Sequence, residues 1–352
     1  MSGICYSHSV LTASTLSLCT FGILGSVPAN AATFDSPFNQ IFIFSDSLSD
    51  PGNLFEITNG EVPESPLSDE GRFSDGPVWT EYFTPQLGLD PSRVTSPVQS
   101  PDGVNYSFGG ATSGDLNVVN ILRPDLDVEF PSLTQELNAF IEPLLATNQS
   151  ANPDALYVVW AGSNDYILGD VTDPTIPVNN VSNAVQSLYD VGARNFLLLN
   201  IPDLGNTPLA LNRGLQDPLN QLTAAHNFLL SSAVNTLNQS LTGINIGLVD
   251  VDTVFNSILQ NPSEFGFTNV TESWSDAVVL CQEQGCDEIP DPSEYLFWDT
   301  VHPTTVTHEI IADVAYSTVQ SQFPKVPEPT SILALSVVGL GFLFHQVSSH
   351  RR

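Results

Sequence analysis

The sequence predicts an α/β domain built around a mostly parallel sheet, and two patterns lead to this prediction. Short runs of apolar residues, each about the length of a buried strand, recur along the chain. Longer stretches with helical features lie between these runs, so strands and helices alternate. The chain has 352 residues, of which 41% are hydrophobic, which is enough for a sizeable core.

Four apolar runs are predicted to be strands that are buried on both faces of the sheet. The first covers residues 40–44, with the sequence Gln-Ile-Phe-Ile-Phe. The others cover residues 155–160, 195–199 and 244–251. Segment 59–102 is rich in Pro, Ser, Gly and Asp, and we expect it to form an extended excursion over the surface.

Helices are predicted between these strands. Ser132 and Gln135 form a capping-box pattern at the start of one helix. A second helix covers residues 179–191 and ends before Gly192, and a third covers 219–241.

The last predicted helix covers residues 304–322. Val306, Ile310 and Val314 recur every four residues and predict its buried face. If these three residues face the core, His308 is expected to lie on the outer side of the helix.

Three residues supply the parts of a serine hydrolase, which needs a nucleophile, a base and a carboxylate that fixes the tautomer of the base. Ser47 follows the first predicted strand, at the end of the sheet where α/β proteins bind ligands. Asp299 lies three residues before His302, so it can accept the Nδ1–H of the imidazole and leave Nε2 for the serine. Taken alone, each segment also fits an ordinary polar turn.

Two further segments can supply donors for an oxyanion. Gly110, in Asn-Tyr-Ser-Phe-Gly-Gly-Ala, can bring a backbone N–H close to a ligand, and Gly109 is a competitor for this role. Asn164, in Gly-Ser-Asn-Asp, can supply a side-chain amide. Each of these segments alone also fits an ordinary glycine turn.

Charge and cysteine content exclude several other functions. There are 39 Asp and Glu residues against 8 Lys and Arg residues, a formal charge of −31, which argues against binding to nucleic acid or to anionic lipid surfaces. Cys281 and Cys286 are expected to form a small loop disulfide, with two free thiols as the alternative. They have no neighbours at zinc-ligand spacing, so no metal site is predicted.

Considered together, the four chemical segments resemble, in order, the sequence blocks of the GDSL (SGNH) esterase/lipase family. The first block is Phe-Ser-Asp-Ser-Leu-Ser-Asp-Pro-Gly-Asn and the last is Tyr-Leu-Phe-Trp-Asp-Thr-Val-His-Pro-Thr. The resemblance covers roughly residues 41–323. It implies a catalytic triad and three oxyanion donors, the N–H groups of Ser47 and Gly110 and the amide of Asn164; the triad residues are Ser47, Asp299 and His302.

The resemblance implies a three-layer α/β/α sandwich with a flavodoxin-like sheet, and cleavage of carboxylic esters through an acyl-enzyme without a cofactor. Substrates in the family include lipids, small esters and acylated glycans. An acyltransferase and a non-catalytic surface or matrix protein are the alternatives. Ser45 stands where the family signature has a glycine, so we expect some backbone strain and a competing hydroxyl there.

Both ends of the chain predict export. Residues 1–31 are read as a signal peptide, with a buried core helix as the alternative, and residues 38–324 as the hydrolase domain. Residues 326–352 contain Val-Pro-Glu-Pro, a short hydrophobic run and a basic end, and resemble a PEP-CTERM sorting tail. The resemblance implies transient membrane attachment, an exosortase-type processing protease and a final location at the surface or in the matrix of a Gram-negative-type bacterium or cyanobacterium; a plain tail anchor is the alternative.

Overall fold

The computed structural model describes residues 36–64, 68–286 and 288–323. The predicted signal peptide, residues 1–31, and the predicted sorting tail, residues 326–352, lie outside the described residues. Within the described ranges, no helix is long and apolar enough to span a membrane.

The described residues form a six-stranded parallel sheet and a separate two-stranded parallel sheet. The strands of the large sheet are β1 (Ile41–Ser45), β2 (Ser92–Arg93), β3 (Gly103–Asn105), β4 (Leu156–Trp160), β5 (Asn195–Leu199) and β6 (Asn245–Val249). The small sheet pairs β7 (Asn269–Ser273) with β8 (Tyr295–Phe297).

Helices occupy most of the connections between these strands. In chain order they are α1 (Asn53–Ile57), α2 (Trp79–Gln86), α3 (Val119–Leu122), α4 (Leu133–Ala146), α5 (Ser163–Ile167), α6 (Thr175–Asp190), α7 (Pro208–Arg213), α8 (Gln216–Ser240), α9 (Val251–Gln260), α10 (Trp274–Gln284) and α11 (Thr305–Gln322).

Helices cover the large sheet on both faces. Successive residues of a strand point to opposite faces, so Ile43 packs in the layer of α2, α9 and α11, whereas Phe44 packs in the layer of α4, α6 and α8. Every residue of β4 is buried, because its side chains point alternately into the two helical layers. This explains why the strand is a continuous hydrophobic run. The predicted three-layer α/β/α sandwich is confirmed.

The strand order in the large sheet is β2-β3-β1-β4-β5-β6. Apart from the two-residue edge strand β2, this is the flavodoxin-like order, in which the chain builds one side of β1 and then crosses to the other. A crevice opens at the carboxyl ends of the strands where the order reverses. The carboxyl end of β1, between β3 and β4, is therefore where the fold favours a ligand site.

The predicted strands and helices match the structure closely, but the expectation of a surface excursion over residues 59–102 was wrong for α2. Within it, α2 places Trp79 and Phe83 in the core, both 0% exposed. The indole Nε1–H of Trp79 also donates to Ser49 Oγ at 2.9 Å. A few large apolar residues thus fix a segment whose average composition is that of a surface loop.

The buried face of α11 also differs from its prediction. Val306, Ile310 and Val314 are only partly buried, whereas Thr307, His308, Ile311, Ala312, Ala315 and Val319 form the buried face. The helix packs against α2, α9 and β6. Its buried face is therefore broader than the predicted row of Val306, Ile310 and Val314, and it lies to one side of that row. The outward position expected for His308 was therefore wrong, since its side chain is 0% exposed.

Candidate active site

Ser47 lies just beyond the carboxyl end of β1, in a tight turn. The turn is closed by the Ser49 N–H, which donates to the Asp46 carbonyl at 3.0 Å, and by the Leu48 N–H, which donates to Asp46 Oδ1 at 3.0 Å. Ser47 itself is 4% exposed. The turn holds the serine at the crevice that the strand order creates.

Asp299 and His302 lie in a loop between β8 and α11. The Trp298 N–H donates to the His302 carbonyl at 2.8 Å, and the Thr304 N–H donates to the Leu296 carbonyl at 3.0 Å. These bonds fold the loop back on itself, so that the Asp and His side chains meet.

The structure brings the three residues predicted as a triad into one hydrogen-bonded series. His302 Nε2 lies 2.8 Å from Ser47 Oγ, and His302 Nδ1 lies 2.7 Å from Asp299 Oδ2. Asp299 Oδ1 accepts the N–H groups of Val301 at 2.8 Å and of His302 at 2.6 Å. Both carboxylate oxygens are thus held in place by neighbouring donors.

The electrostatics of this series fix its tautomer. Burial alone would raise the pKa of Asp299, but the nearby His302 charge and the three hydrogen bonds outweigh it and lower the pKa below its ordinary value. An ionised carboxylate only accepts hydrogen bonds, so Nδ1 must carry the proton. When the imidazole is neutral, the lone pair of Nε2 then faces the hydroxyl of Ser47.

Two of the predicted oxyanion donors, Ser47 and Asn164, line the same cavity, and the third, Gly110, follows Gly109, whose N–H is bound to Asp50 in the nucleophile turn. The N–H groups of Ser47 and Gly110 have no acceptor among the described residues. Asn164 lines the cavity with Ser47 and His302, and its Nδ2 donates to the Ala111 carbonyl at 3.0 Å, which leaves its second hydrogen available. The competing Gly109 N–H is already bound to Asp50 Oδ2 at 2.8 Å.

The backbone at Gly110 requires glycine. Its φ of +78° lies in the left-handed region, where side chains are disfavoured. A Cβ atom there would also lie 2.6 Å from Asn117 Oδ1. Glycine thus allows the loop to turn at the point where the free N–H is presented.

Sequence reasoning missed two buried carboxylates that tie the nucleophile turn to the oxyanion loop. Asp50 accepts the N–H groups of Gly52, Asn53 and Leu54 in its own turn, in addition to that of Gly109. Asp and Glu are rarely fully buried, so composition alone cannot reveal such a role. The only local indication was the Asp-Pro-Gly-Asn turn.

Glu136, on α4, is the second of these carboxylates. It is 1% exposed and accepts the Ser45 N–H at 2.9 Å with one oxygen and the Phe108 N–H at 3.0 Å with the other. Burial raises the pKa of Glu136 well above its ordinary value, although these bonds act in the opposite direction. Glu136 thus joins the end of β1 to the loop that carries Gly110.

The side chain of Ser45 is part of the scaffold. Its hydroxyl, 1% exposed, accepts a hydrogen bond from Ser49 Oγ at 2.9 Å. Ser45 lies in β1 and its φ is not positive, so the expected backbone strain was wrong. Its hydroxyl is directed to Ser49.

Two other expectations concern cysteines and metals. Cys281 and Cys286 are joined by a disulfide with Cα atoms 5.1 Å apart. Across the described ranges, no group of three or more His, Cys, Asp or Glu side chains is arranged to hold a metal ion.

A small cavity opens beside the series. Ser47, His302 and Asn164 line one side of it, together with the buried carboxyl of Asp46. Burial raises the pKa of Asp46 to about 7. The remaining wall is mostly apolar and includes Leu48, Trp160, Ile167, Leu204, Phe255, Phe297, Val301 and Ile311.

Comparison with known proteins finds one matching family and many relatives. The family model described as GDSL-like Lipase/Acylhydrolase matches residues 41–315. The phosphatidylcholine-sterol acyltransferase of Aeromonas hydrophila is 28% identical to this chain, over 87% of this chain and 97% of that protein. A GDSL esterase/lipase of Arabidopsis thaliana is 26% identical, over 78% of this chain and 87% of its own length.

Other matches are longer proteins or solved structures. Esterase EstA of Pseudomonas aeruginosa is 26% identical over 85% of this chain, and the chain spans about half of it, 49% of its length. Among solved structures, the native aryl esterase of M. smegmatis matches with a TM-score of 0.44 and 14% identity, over 81% of this chain and 100% of that one.

Proposed function

Because the chain belongs to the GDSL-like lipase/acylhydrolase family and is a carboxylic ester hydrolase, we propose that it cleaves esters through an acyl-enzyme on Ser47. The observation that carries this proposal is the hydrogen-bonded series from Ser47 Oγ through His302 to Asp299. A hydroxyl that faces an unprotonated imidazole nitrogen is poised to lose its proton as it attacks.

In the first half-reaction, Ser47 Oγ attacks the ester carbonyl carbon and His302 Nε2 takes its proton. Negative charge then develops on the carbonyl oxygen, where the N–H groups of Ser47 and Gly110 and the amide of Asn164 are available to donate. The carbon–oxygen bond to the alcohol breaks, and His302 gives the proton to the departing alkoxide. The acyl group remains on Ser47.

In the second half-reaction, water replaces the alcohol. His302 takes a proton from the water as its oxygen attacks the acyl carbon, and the bond to Ser47 Oγ breaks with return of that proton. Throughout, the Asp299 carboxylate stabilises the imidazolium and holds its orientation. The products are a carboxylic acid and free enzyme.

The test compares two serines of the same turn in hydrolysis of p-nitrophenyl acetate. Ser47→Ala should lower kcat by at least roughly ten-thousand-fold. Ser45→Ala, a matched loss of a buried hydroxyl two residues away, should keep kcat within about threefold, since that hydroxyl bonds only within the scaffold. Retention of activity in Ser47→Ala with loss in Ser45→Ala would overturn the assignment.

Acyl transfer is the second candidate function, and the similarity to the acyltransferase of Aeromonas hydrophila supports it. Both reactions share the acyl-enzyme and differ only in the group that attacks it. Turnover of an ester with added alcohol acceptors separates them: a hydrolase yields the free acid, whereas an acyltransferase yields a new ester in proportion to the acceptor.

We also propose that the protein is exported, with removal of residues 1–31 and processing within the tail, residues 326–352. The disulfide between Cys281 and Cys286 and the strongly acidic composition support an oxidising location outside the cytoplasm. Mass spectrometry of the termini of the protein recovered from cell fractions tests this. Intact termini on cytoplasmic protein would contradict it.

A further inference from the structure

We infer that the cavity beside Ser47 is an acyl subsite that admits only short acyl groups, acetyl or propionyl, and this inference rests on the proposed function. The cavity has a volume of about 30 Å³ and reaches Ser47, His302 and Asn164 on its polar side. Its lining also includes Trp160, Phe255, Phe297 and Ile311, and we infer that these side chains limit how long a chain can enter.

Size limits what the cavity holds. A cavity needs about 10–15 Å³ to hold one water-sized group, so a volume of about 30 Å³ accommodates about two methyl-sized groups. An acetyl group places one carbon beyond the carbonyl and a propionyl group places two. A hexanoyl chain would have to push five carbons into the same space.

The wall of the cavity belongs to the core. Trp160 is 2% exposed, Phe297 is 1% exposed, and both pack in the same layer as Phe255. The indole N–H of Trp160 donates to the Asn200 carbonyl at 3.1 Å, which fixes its ring. These side chains cannot move aside without repacking a close-packed layer. A longer acyl chain therefore meets a stiff surface.

The apolar wall also indicates which half of an ester enters. The acyl half beyond the carbonyl is hydrocarbon, whereas the alcohol half leaves as a hydroxyl that must reach His302 and then solvent. A cavity whose lining is mostly apolar favours the hydrocarbon. We therefore place the alcohol half outside this cavity.

Two isomeric esters test this assignment directly. Ethyl hexanoate and hexyl acetate contain the same atoms and differ only in which half carries the long chain. The full chain should hydrolyse hexyl acetate with a kcat/KM at least tenfold higher. Equal rates, or a preference for ethyl hexanoate, would overturn the inference while leaving the ester hydrolase intact.

Shortening side chains that line the cavity should shift the substrate preference toward the ester with the longer acyl chain. Phe255→Leu and Ile311→Ala, on different helices, should each raise the ratio of ethyl hexanoate to hexyl acetate turnover by at least threefold. Phe83→Leu is the matched control, since Phe83 is buried in the same layer but does not line the cavity. An equal change in the control would show that general loosening, not cavity size, sets the preference, and would overturn the inference. No turnover of either ester or of p-nitrophenyl acetate by the wild type would instead overturn the proposed function.

Discussion

The substitution Asp299→Asn should inactivate the enzyme by reversing the tautomer of His302. The two carboxylate oxygens have different partners: Oδ1 accepts two backbone N–H groups, from Val301 and His302, and Oδ2 accepts the ring Nδ1–H. An asparagine must present its single oxygen to one of these sites. The two backbone N–H donors determine which of the two positions the oxygen takes.

The magnitude follows from this competition. Placing the amide NH₂ against the two backbone N–H groups would leave both unsatisfied, at about 1–3 kcal/mol each. The asparagine oxygen therefore takes the Oδ1 position, and its NH₂ donates to His302 Nδ1. The imidazole proton then moves to Nε2, 2.8 Å from Ser47 Oγ, and the base is lost. The same change in a serine protease triad lowers kcat roughly ten-thousand-fold, about 5 kcal/mol.

The assay is steady-state hydrolysis of p-nitrophenyl acetate, with thermal unfolding measured in parallel. Asp154→Asn, at an exposed position, makes the same chemical change away from the site and should leave kcat unchanged. A folded Asp299→Asn enzyme that loses less than tenfold in kcat would refute the tautomer argument.

Three further outcomes are expected. Asn164→Ala should lower kcat by roughly 100- to 1000-fold in the same assay with little change in stability, and unchanged turnover would remove its amide from the mechanism. Glu136→Ala should lower the free energy of unfolding in urea by about 2–6 kcal/mol, because two buried N–H groups lose their acceptor, whereas exposed Glu142→Ala on the same helix should not. His308→Leu should make the fold more tolerant of acid. Burial lowers the pKa of His308 from 6.5 to about 3, so the unfolded chain binds the proton first and stability is lost as pH falls through this window. Urea unfolding between pH 7 and 4.5 should show about 2.5 kcal/mol less acid destabilisation in the variant than in the wild type, and parallel curves would refute this reasoning.

Much of the fold was predictable because each buried strand is marked by a short apolar run in the sequence. Strand β5 lies where its apolar run predicts, since its last four residues are buried and all of them are apolar. The site was predictable for a similar reason. Asp299 and His302 are close in sequence, and Ser47 follows a buried strand whose end lies at the switch in strand order.

What could not be predicted depends on contacts between distant segments. The burial of Trp79 within a loop-like segment and of His308 on α11 follows from how these two helices pack together. Likewise, Glu136 holds Ser45 across 91 residues of sequence, and no local pattern distinguishes it from a surface carboxylate. Such residues become recognisable only when the partners of each backbone N–H are known.

The most direct test of the central claim is to trap the covalent intermediate on its serine. A fluorophosphonate probe is incubated with the full chain, and peptide mass spectrometry locates the adduct. We predict one adduct, on Ser47, that is absent from Ser47→Ala and forms much more slowly in Asp299→Asn. Labelling of Ser47→Ala at the wild-type rate, or an adduct on Ser45 or Ser49 in the wild type, would contradict it.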